Sequence, residues 1–350
     1  MRLTLILAAI GAAFHTLPAH AGELPQTRFQ HHDWELACDN TRTCRAAGYS
    51  AEEGDSLPLS VLFERKAGPD EPLVAELSLG DDGSDAPYPA ALAMQIDGKA
   101  VGTVRLNDGA ATLSRQQSQA LLRAVAGSGV PTWRGAGRSW TLSGKGAAAV
   151  LLKMDEFQGR LGTPGAAIRK GTRPESGVLP PLPKPVVAAA PVLAGALAPL
   201  TGEARRQLLA TLRKGLGQDE DCEDLEAIAT GEEEFTYAAL DGERMLVSAR
   251  CWRGAYNEGA GYWVANRTPP YAPTLVTTMG TDAEAGTIRA AHKGRGIGDC
   301  WASEEWTWDG RRFVHSASAT TGMCRGVPGG SWDLPTLVSE IRRSGAGRVD

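Results

Sequence analysis

Six cysteines carry the most distinctive chemistry of this chain, because cysteine can serve as a redox group, a metal ligand or a disulfide partner. The chain has no Cys-x-x-Cys motif and no cysteine in an obvious low-pKa context, which disfavours redox catalysis. We therefore predict three disulfides. The sequential pairing is favoured because it keeps each bridge within one supersecondary unit, joining Cys38 to Cys44, Cys222 to Cys251 and Cys300 to Cys324.

Neither a metal nor a cofactor is predicted. No histidine has the paired-cysteine spacing of a zinc site, and His31-His32 are expected to be exposed to solvent. The acidic run at residues 219–224 offers oxygen ligands but lacks the spacing of an EF-hand, so we interpret it as a solvated face. The sequence has no Gly-x-Ser-x-Gly elbow, and its 41 acidic residues do not single out a pair for glycoside hydrolysis.

Two glycine-rich stretches are the best candidates for a binding surface. Residues 252–257 combine aromatic, basic and amide side chains, and aromatic rings on a rigid sheet can stack on sugars or anchor a protein. Residues 293–299 contain Gly-x-Gly but no Walker lysine; we favour a turn-rich loop over an anion-binding nest. The candidate ligand-binding residues are Trp252, Arg253, Tyr256, Asn257, Lys293, Arg295 and Asp299. For the later Trp306 and Trp308, burial in the core is favoured.

The N-terminus predicts export. Arg2 precedes an apolar run over residues 3–14, and Ala19-His20-Ala21 matches a cleavage site, so residues 1–21 are predicted to be a signal peptide. The apolar run is shorter than a membrane span, and no membrane insertion is expected after cleavage. The formal net charge of −5 and the lack of a basic stripe argue against a nucleic-acid partner. The predicted location is the periplasm or the medium.

Composition predicts an α+β chain that is mainly β, because 42 glycines and 21 prolines imply many short strands and turns. We expect two disulfide-stapled antiparallel β units with a few helices, joined by a Pro/Ala-rich linker. The predicted boundaries are 28–163, 164–200 and 201–345. Asp-Gly pairs predict hairpin turns at positions 97–98, 241–242 and 309–310. Apolar periodicity and capping residues predict helices over residues 114–127, 145–158, 201–217 and 334–343.

Several short motifs carry a resemblance to a known family. They are Asp33-Trp34 with Cys38-Asp39-Asn40 and Cys44, Met154-Asp155-Glu156 with Gln158-Gly159-Arg160, Gly254-Ala255-Tyr256-Asn257, and Lys293-Gly294-Arg295-Gly296 with Asp299-Cys300. In these the chain resembles the bacterial envelope proteins known as the eleven-seventy-six family of domains of unknown function. The N-terminal half is also distantly similar to invasion-associated locus B proteins. Many family members have glycine after the Asp-Cys pair, where this chain has Trp301.

The family resemblance implies export and a two-part architecture, with no established activity and no catalytic residues to transfer. The favoured hypothesis is a non-enzymatic, exported protein that binds an envelope component or a protein partner. Two alternatives stay open, namely a hydrolase of cell-wall glycan or peptide and an inhibitor of an extracellular enzyme.

Overall fold

A computed structural model describes residues 25–52, 56–81, 83, 86–193, 197–215, 222–224, 230 and 234–343. The predicted signal peptide, residues 1–21, lies outside these ranges, as do residues 219–221 of the acidic run at 219–224. The described chain is mainly β, with 22 strands and three α-helices. Nearly all strand pairs are antiparallel, which confirms the predicted fold class.

The N-terminal part contains ten strands and two helices. Strands β1 to β5 and β8 form a six-stranded sheet in the order β1-β2-β3-β4-β5-β8, and the other four form a sheet in the order β10-β9-β6-β7. In chain order the elements are β1 (Thr27–His31), β2 (Trp34–Cys38), β3 (Cys44–Tyr49), β4 (Leu59–Arg65), β5 (Val74–Leu79), β6 (Ala91–Ile96), β7 (Lys99–Arg105), β8 (Ala110–Thr112), α1 (Arg115–Ala126), β9 (Pro131–Gly135), β10 (Arg138–Thr141) and α2 (Ala147–Phe157).

Both predicted helices of this part are confirmed. Ser114 and Gln117 form a reciprocal capping box at the start of α1, which satisfies two backbone donors that a helix N-terminus leaves open. The core between the sheets and helices is centred on Trp34, which is fully buried beside Phe63. Gly48 is required there, because a Cβ at this position would lie 2.3 Å from the Trp34 ring.

The C-terminal part forms two five-stranded sheets, in the orders β12-β13-β14-β15-β16 and β17-β18-β19-β20-β21, and β11 pairs with β22 in parallel. After a 3-10 turn at Glu175–Gly177, the elements are β11 (Val186–Ala189), β12 (Ala198–Pro199), α3 (Gly202–Gly215), β13 (Phe235–Ala239), β14 (Arg244–Arg253), β15 (Glu258–Asn266), β16 (Thr274–Gly280), β17 (Asp282–Glu284), β18 (Thr287–Lys293), β19 (Trp301–Trp308), β20 (Phe313–Thr320), β21 (Leu334–Leu337) and β22 (Glu340–Arg343).

The three predicted hairpins and the three sequential disulfides are confirmed. Trp306 and Trp308 are 8% and 1% exposed, so both belong to the core, as predicted. The predicted helix over residues 334–343 is wrong, because this stretch forms β21 and β22. Pro335 has no backbone N–H and would be tolerated in the first turn of a helix, but β-branched Thr336 favours a strand, and the stretch pairs with β20 and β11. Leu334 is instead fully buried against the N-terminal sheet.

The two predicted units contact each other through polar groups, although their boundaries stay predictions. The side-chain amide of Asn40 exchanges two hydrogen bonds with the backbone of Val338, at 3.0 and 2.8 Å. Arg325 forms an ion pair with Asp33 at 3.0 Å, and the Trp332 indole donates to Ser60 at 2.6 Å. The segment around residues 322–340 therefore packs on the first sheet.

Candidate functional site

Two adjoining cavities, of about 410 and 470 Å³, share Lys293 and Trp301 as lining residues. We call them together the Lys293–Trp301 groove. The first cavity is also lined by Arg253, Tyr256, Asn257 and Glu258. The second is also lined by Arg28, Glu35, His292, Met323 and Arg325, and so receives residues from both predicted units.

Strand pairing positions the two shared residues. Lys293 ends β18 and Trp301 begins β19, and they are direct partners in the antiparallel register. The Lys293 ammonium lies 5.5 Å from the centre of the Trp301 ring, within the range of a cation–π contact. The indole N–H donates to the Gly298 carbonyl at 3.1 Å, which fixes the ring. Within the described part of the chain, no carboxylate pairs with the Lys293 ammonium.

Asn257 joins the two glycine-rich loops. Its amide nitrogen donates to the Lys293 carbonyl at 2.9 Å, and its amide oxygen accepts from the Lys293 N–H at 2.9 Å. The Tyr256 hydroxyl donates to the Gly294 carbonyl at 3.3 Å, while the residue stays 48% exposed. The Asn257 amide thus has a positioning role, and the Tyr256 ring is presented to solvent beside Lys293.

Asp299 and Arg295 stabilise the same loop by contacts with each other and with Gly326. Arg295 forms a bidentate ion pair with Asp299, and the Asp299 carboxylate also accepts from the Gly326 N–H at 2.8 Å. The hydrogen bonds from Arg295 lower the pKa of Asp299. Asp299 also lies close to the sulfur atoms of Cys300 and Cys324. Because those sulfurs are bonded to each other, neither is a thiolate that could bind a metal ion.

Trp252 packs beneath the surface, away from the lining of the groove. Its ring lies over Gly259, where a Cβ would approach to 2.4 Å, and 5.3 Å from the His292 ring. Its indole N–H donates to the Thr278 carbonyl at 3.1 Å. Of the seven predicted residues, the groove therefore brings together Arg253, Tyr256, Asn257 and Lys293, while Trp252, Arg295 and Asp299 are not among its lining residues.

Glu35 is the groove residue that sequence reasoning missed. Its Oε1 accepts hydrogen bonds from the Tyr49 hydroxyl and from the Met323 N–H, each at 2.6 Å. Burial raises the pKa of Glu35, while Arg28 and Arg325 act in the opposite direction. The available signal was a glutamate between the apolar residues Trp34 and Leu36 in a strand, which places its carboxyl on the face opposite to theirs.

These contacts define what the groove can do. It offers an exposed tyrosine ring, an indole with an ammonium above it, and a carboxyl group whose ionised form is disfavoured by burial. Such a set can bind a ring or a hydroxylated ligand that carries an anionic group. Among the described helices, none is both long enough and apolar enough to cross a membrane.

Comparison with known proteins agrees with the motif resemblance. Residues 28–339 match the family model described as "Protein of unknown function (DUF1176)". The chain is 26% identical over 318 residues to the uncharacterized protein YpfG of Escherichia coli (strain K12), which covers 80% of this chain and 84% of that protein. No solved structure matches. The similarity to invasion-associated locus B proteins stays a prediction.

Proposed function

The chain belongs to the DUF1176 family of proteins of unknown function, and we propose that it is an exported, non-enzymatic protein that binds a component of the cell envelope. The ligand binds in the Lys293–Trp301 groove. Its chemical class is a saccharide, or a peptide-bearing saccharide, with a carboxylate or phosphate group. Three disulfides support a location in an oxidising compartment such as the periplasm.

The observation that carries this proposal is the Lys293 ammonium over the Trp301 ring, with the exposed Tyr256 ring on the same cavity. Flat rings stack on the apolar faces of sugars, and a lysine without a carboxylate partner can pair with an anionic substituent. The sides of the groove are already held by Asn257 and by the Cys300–Cys324 bridge. Little conformational freedom is therefore lost when a ligand binds.

Cell-wall hydrolysis is the second candidate function, and Glu35 is the observation that favours it. A carboxyl group with a raised pKa in a cavity is suited to act as a general acid. However, the two hydrogen bonds that Oε1 accepts, from the Tyr49 hydroxyl and the Met323 N–H, are equally the arrangement of a buried polar contact between two units. Binding therefore accounts for more of the groove than hydrolysis does.

The test is isothermal titration of the oxidised protein with muropeptides and with acidic and neutral oligosaccharides, supported by thermal shift. A ligand present at 100 times its dissociation constant stabilises the native state by about 2.7 kcal/mol. We expect Tyr256→Ala and Lys293→Gln to weaken binding by about tenfold or more, which is about 1.4 kcal/mol. Tyr88→Ala is the matched control, because Tyr88 is 38% exposed and lies outside the groove.

Equal affinity of the Tyr256→Ala, Lys293→Gln and Tyr88→Ala proteins for every bound ligand would refute the assignment of the groove. Turnover of the same ligands that is abolished by Glu35→Gln would instead establish the hydrolase.

A further inference from the structure

A third cavity, of about 480 Å³, lies in the N-terminal part and shares no residue with the Lys293–Trp301 groove. It opens between helix α1, the chain after β4 and the segment after α2. We call it the Arg65 cavity. Its lining includes five basic residues, namely Arg65, Arg115, Arg123, Arg160 and Lys170, and three acidic ones, namely Asp70, Glu71 and Glu175.

Arg65 is a buried cation with an unused donor. It is 4% exposed, and its Nη1 donates to the Gly165 carbonyl at 3.1 Å and lies 3.5 Å from Asp155. Its Nε has no hydrogen-bond partner. Burial and repulsion by Arg160 lower the pKa of Arg65 to about 10, so it stays charged at neutral pH. A buried guanidinium whose donors are not all paired is costly, and an anionic ligand in the cavity that Arg65 lines would offset its charge.

Neighbouring groups do not neutralise this cation completely. Asp155 accepts from the Ala167 and Ile168 N–H groups at 2.7 and 3.0 Å, and burial raises its pKa. The Glu175 carboxylate faces Arg160 at 3.5 Å and accepts from the Gly165 N–H at 2.6 Å. The carboxylates nearest to Arg65 are thus shared with other donors.

The rim of the cavity adds three exposed cations. Arg115 and Arg123 lie on one face of α1, two turns and about 12 Å apart along the helix axis, with Gln119 between them. Lys170, on the segment after α2, also lines the cavity. Within the described residues, Arg115, Arg123 and Lys170 have neither an ion pair nor a side-chain hydrogen bond. In an acidic chain, four basic side chains with unused donors therefore surround one cavity.

From this arrangement we propose that the Arg65 cavity binds a small molecule with oxyanion groups, either phosphate or carboxylate. Arginine presents several N–H donors in a fixed planar array that matches both kinds of oxyanion. One anionic group accepts from the Arg65 guanidinium where that residue lines the cavity, and the rim cations hold the rest of the molecule.

The experiment measures thermal shift and isothermal titration with inorganic phosphate, pyrophosphate and citrate, against sodium chloride at matched ionic strength. We expect at least one of the three anions to bind and to raise the melting temperature beyond the chloride control. The Arg115→Gln/Arg123→Gln double variant is expected to weaken that binding about tenfold, because two charge-assisted contacts are lost. Arg105→Gln is the control, since Arg105 is an exposed cation on β7 outside the cavity.

Arg65→Lys tests the buried cation of the cavity separately. Lysine keeps the positive charge but lacks the planar array of donors of arginine, so the bound anion should lose affinity even where the melting temperature of the unliganded protein is unchanged. Preference for citrate would identify a carboxylate ligand, and preference for pyrophosphate would identify a phosphate ligand. The proposal is overturned if none of the three anions exceeds the chloride control, or if the double variant and Arg105→Gln bind equally well. Lys293→Gln should leave anion binding unchanged, which separates this result from any result at the groove.

Discussion

Asn257 offers the sharpest test of how the groove is built, because one side chain holds two loops together. Replacement by alanine removes both hydrogen bonds to the Lys293 backbone. A typical protein hydrogen bond contributes about 1 kcal/mol net, so Asn257→Ala should lower the free energy of unfolding by about 2 kcal/mol. The released loop should also carry Lys293 away from its position over Trp301, and ligand affinity should fall with stability.

Asn40 provides a matched control elsewhere in the molecule. Its amide makes the same reciprocal pair of hydrogen bonds, in this case with Val338, and it is 1% exposed. Its loss leaves a donor and an acceptor that are shielded from water, so Asn40→Ala should cost more, about 2–4 kcal/mol. The groove does not include Asn40 or Val338, and binding there should stay at the wild-type level under conditions where the variant is folded.

The assay is urea denaturation followed by circular dichroism, with titration of the groove ligand on the folded proteins. Asn257→Asp adds a discriminating measurement, because aspartate keeps the acceptor for the Lys293 N–H but faces the Lys293 carbonyl with a second oxygen. Its loss of stability should therefore be largest at neutral pH and smaller in acid, where a protonated carboxyl can donate. The reasoning is refuted if the free energy of unfolding of Asn257→Ala lies within about 0.5 kcal/mol of wild type, because an ordinary surface substitution changes stability by no more than that.

Two further predictions concern Glu35 and the disulfides. Because burial raises the pKa of Glu35, the native state binds a proton more readily than the unfolded state, and stability should fall as the pH rises from the ordinary glutamate pKa of 4.5 through the raised native pKa. Glu35→Gln keeps an acceptor for Tyr49 and Met323 but cannot ionise. Denaturation between acid and neutral pH should therefore show a smaller decrease in stability for this variant, and an unchanged pH profile would contradict the prediction. For the disulfides, chain entropy predicts a loss of about 3.5 kcal/mol for Cys300→Ala/Cys324→Ala and about 2.3 kcal/mol for Cys38→Ala/Cys44→Ala, since the separations are 24 and 6 residues. Urea midpoints in the reverse order would count against this account.

Local signals in the sequence were sufficient for much of the fold. An Asp-Gly turn fixes a hairpin within a few residues, and the capping box at Ser114 and Gln117 fixes the start of α1. Sequential disulfides follow because hairpins bring their own cysteines together. The helix predicted over residues 334–343 is wrong because contacts outside the segment decide its structure. The strands at Leu334 and after it are determined by pairing with β20 and with β11, the second of which lies far away in sequence, and this tertiary pairing overrides a helical apolar period.

The candidate site divides in the same way. Tyr256 and Lys293 could be selected from the sequence because both lie in glycine-rich loops beside cysteines. Arg28 and Glu35 could not, because they reach the groove only through the packing of the first sheet against the segment at Met323 and Arg325. No local periodicity encodes a contact between a strand and a loop nearly the whole chain apart. Sequence reasoning thus found one side of the groove and missed the other.

Of the motifs that carry the family resemblance, the one over residues 154–160 forms part of the frame of the protein, whereas those at 254–257 and 293–296 reach the groove. Asp155 accepts backbone N–H groups, the Gln158 amide donates to the Arg42 and Arg65 carbonyls, and Arg160 donates to the Gly68 carbonyl. Residues whose polar atoms are satisfied in this way have little capacity left to recognise a ligand.

The two cations with unused chemistry are Lys293, which belongs to one of the family motifs, and Arg65, which contacts another. Lys293 is held by Asn257 through its backbone, which leaves its ammonium available, and Arg65 lies between Asp155 and Arg160 with an unpaired Nε. In both places a satisfied network fixes a cation that is itself incompletely paired. A network that only stabilised the fold would have no need to hold a charge in this way, because a hydrophobic residue of similar size is often at least as stable. Ligands should therefore be sought in the Lys293–Trp301 groove and in the Arg65 cavity. Variants that keep the hydrogen-bond network while changing the cation are the ones that can reveal ligand binding.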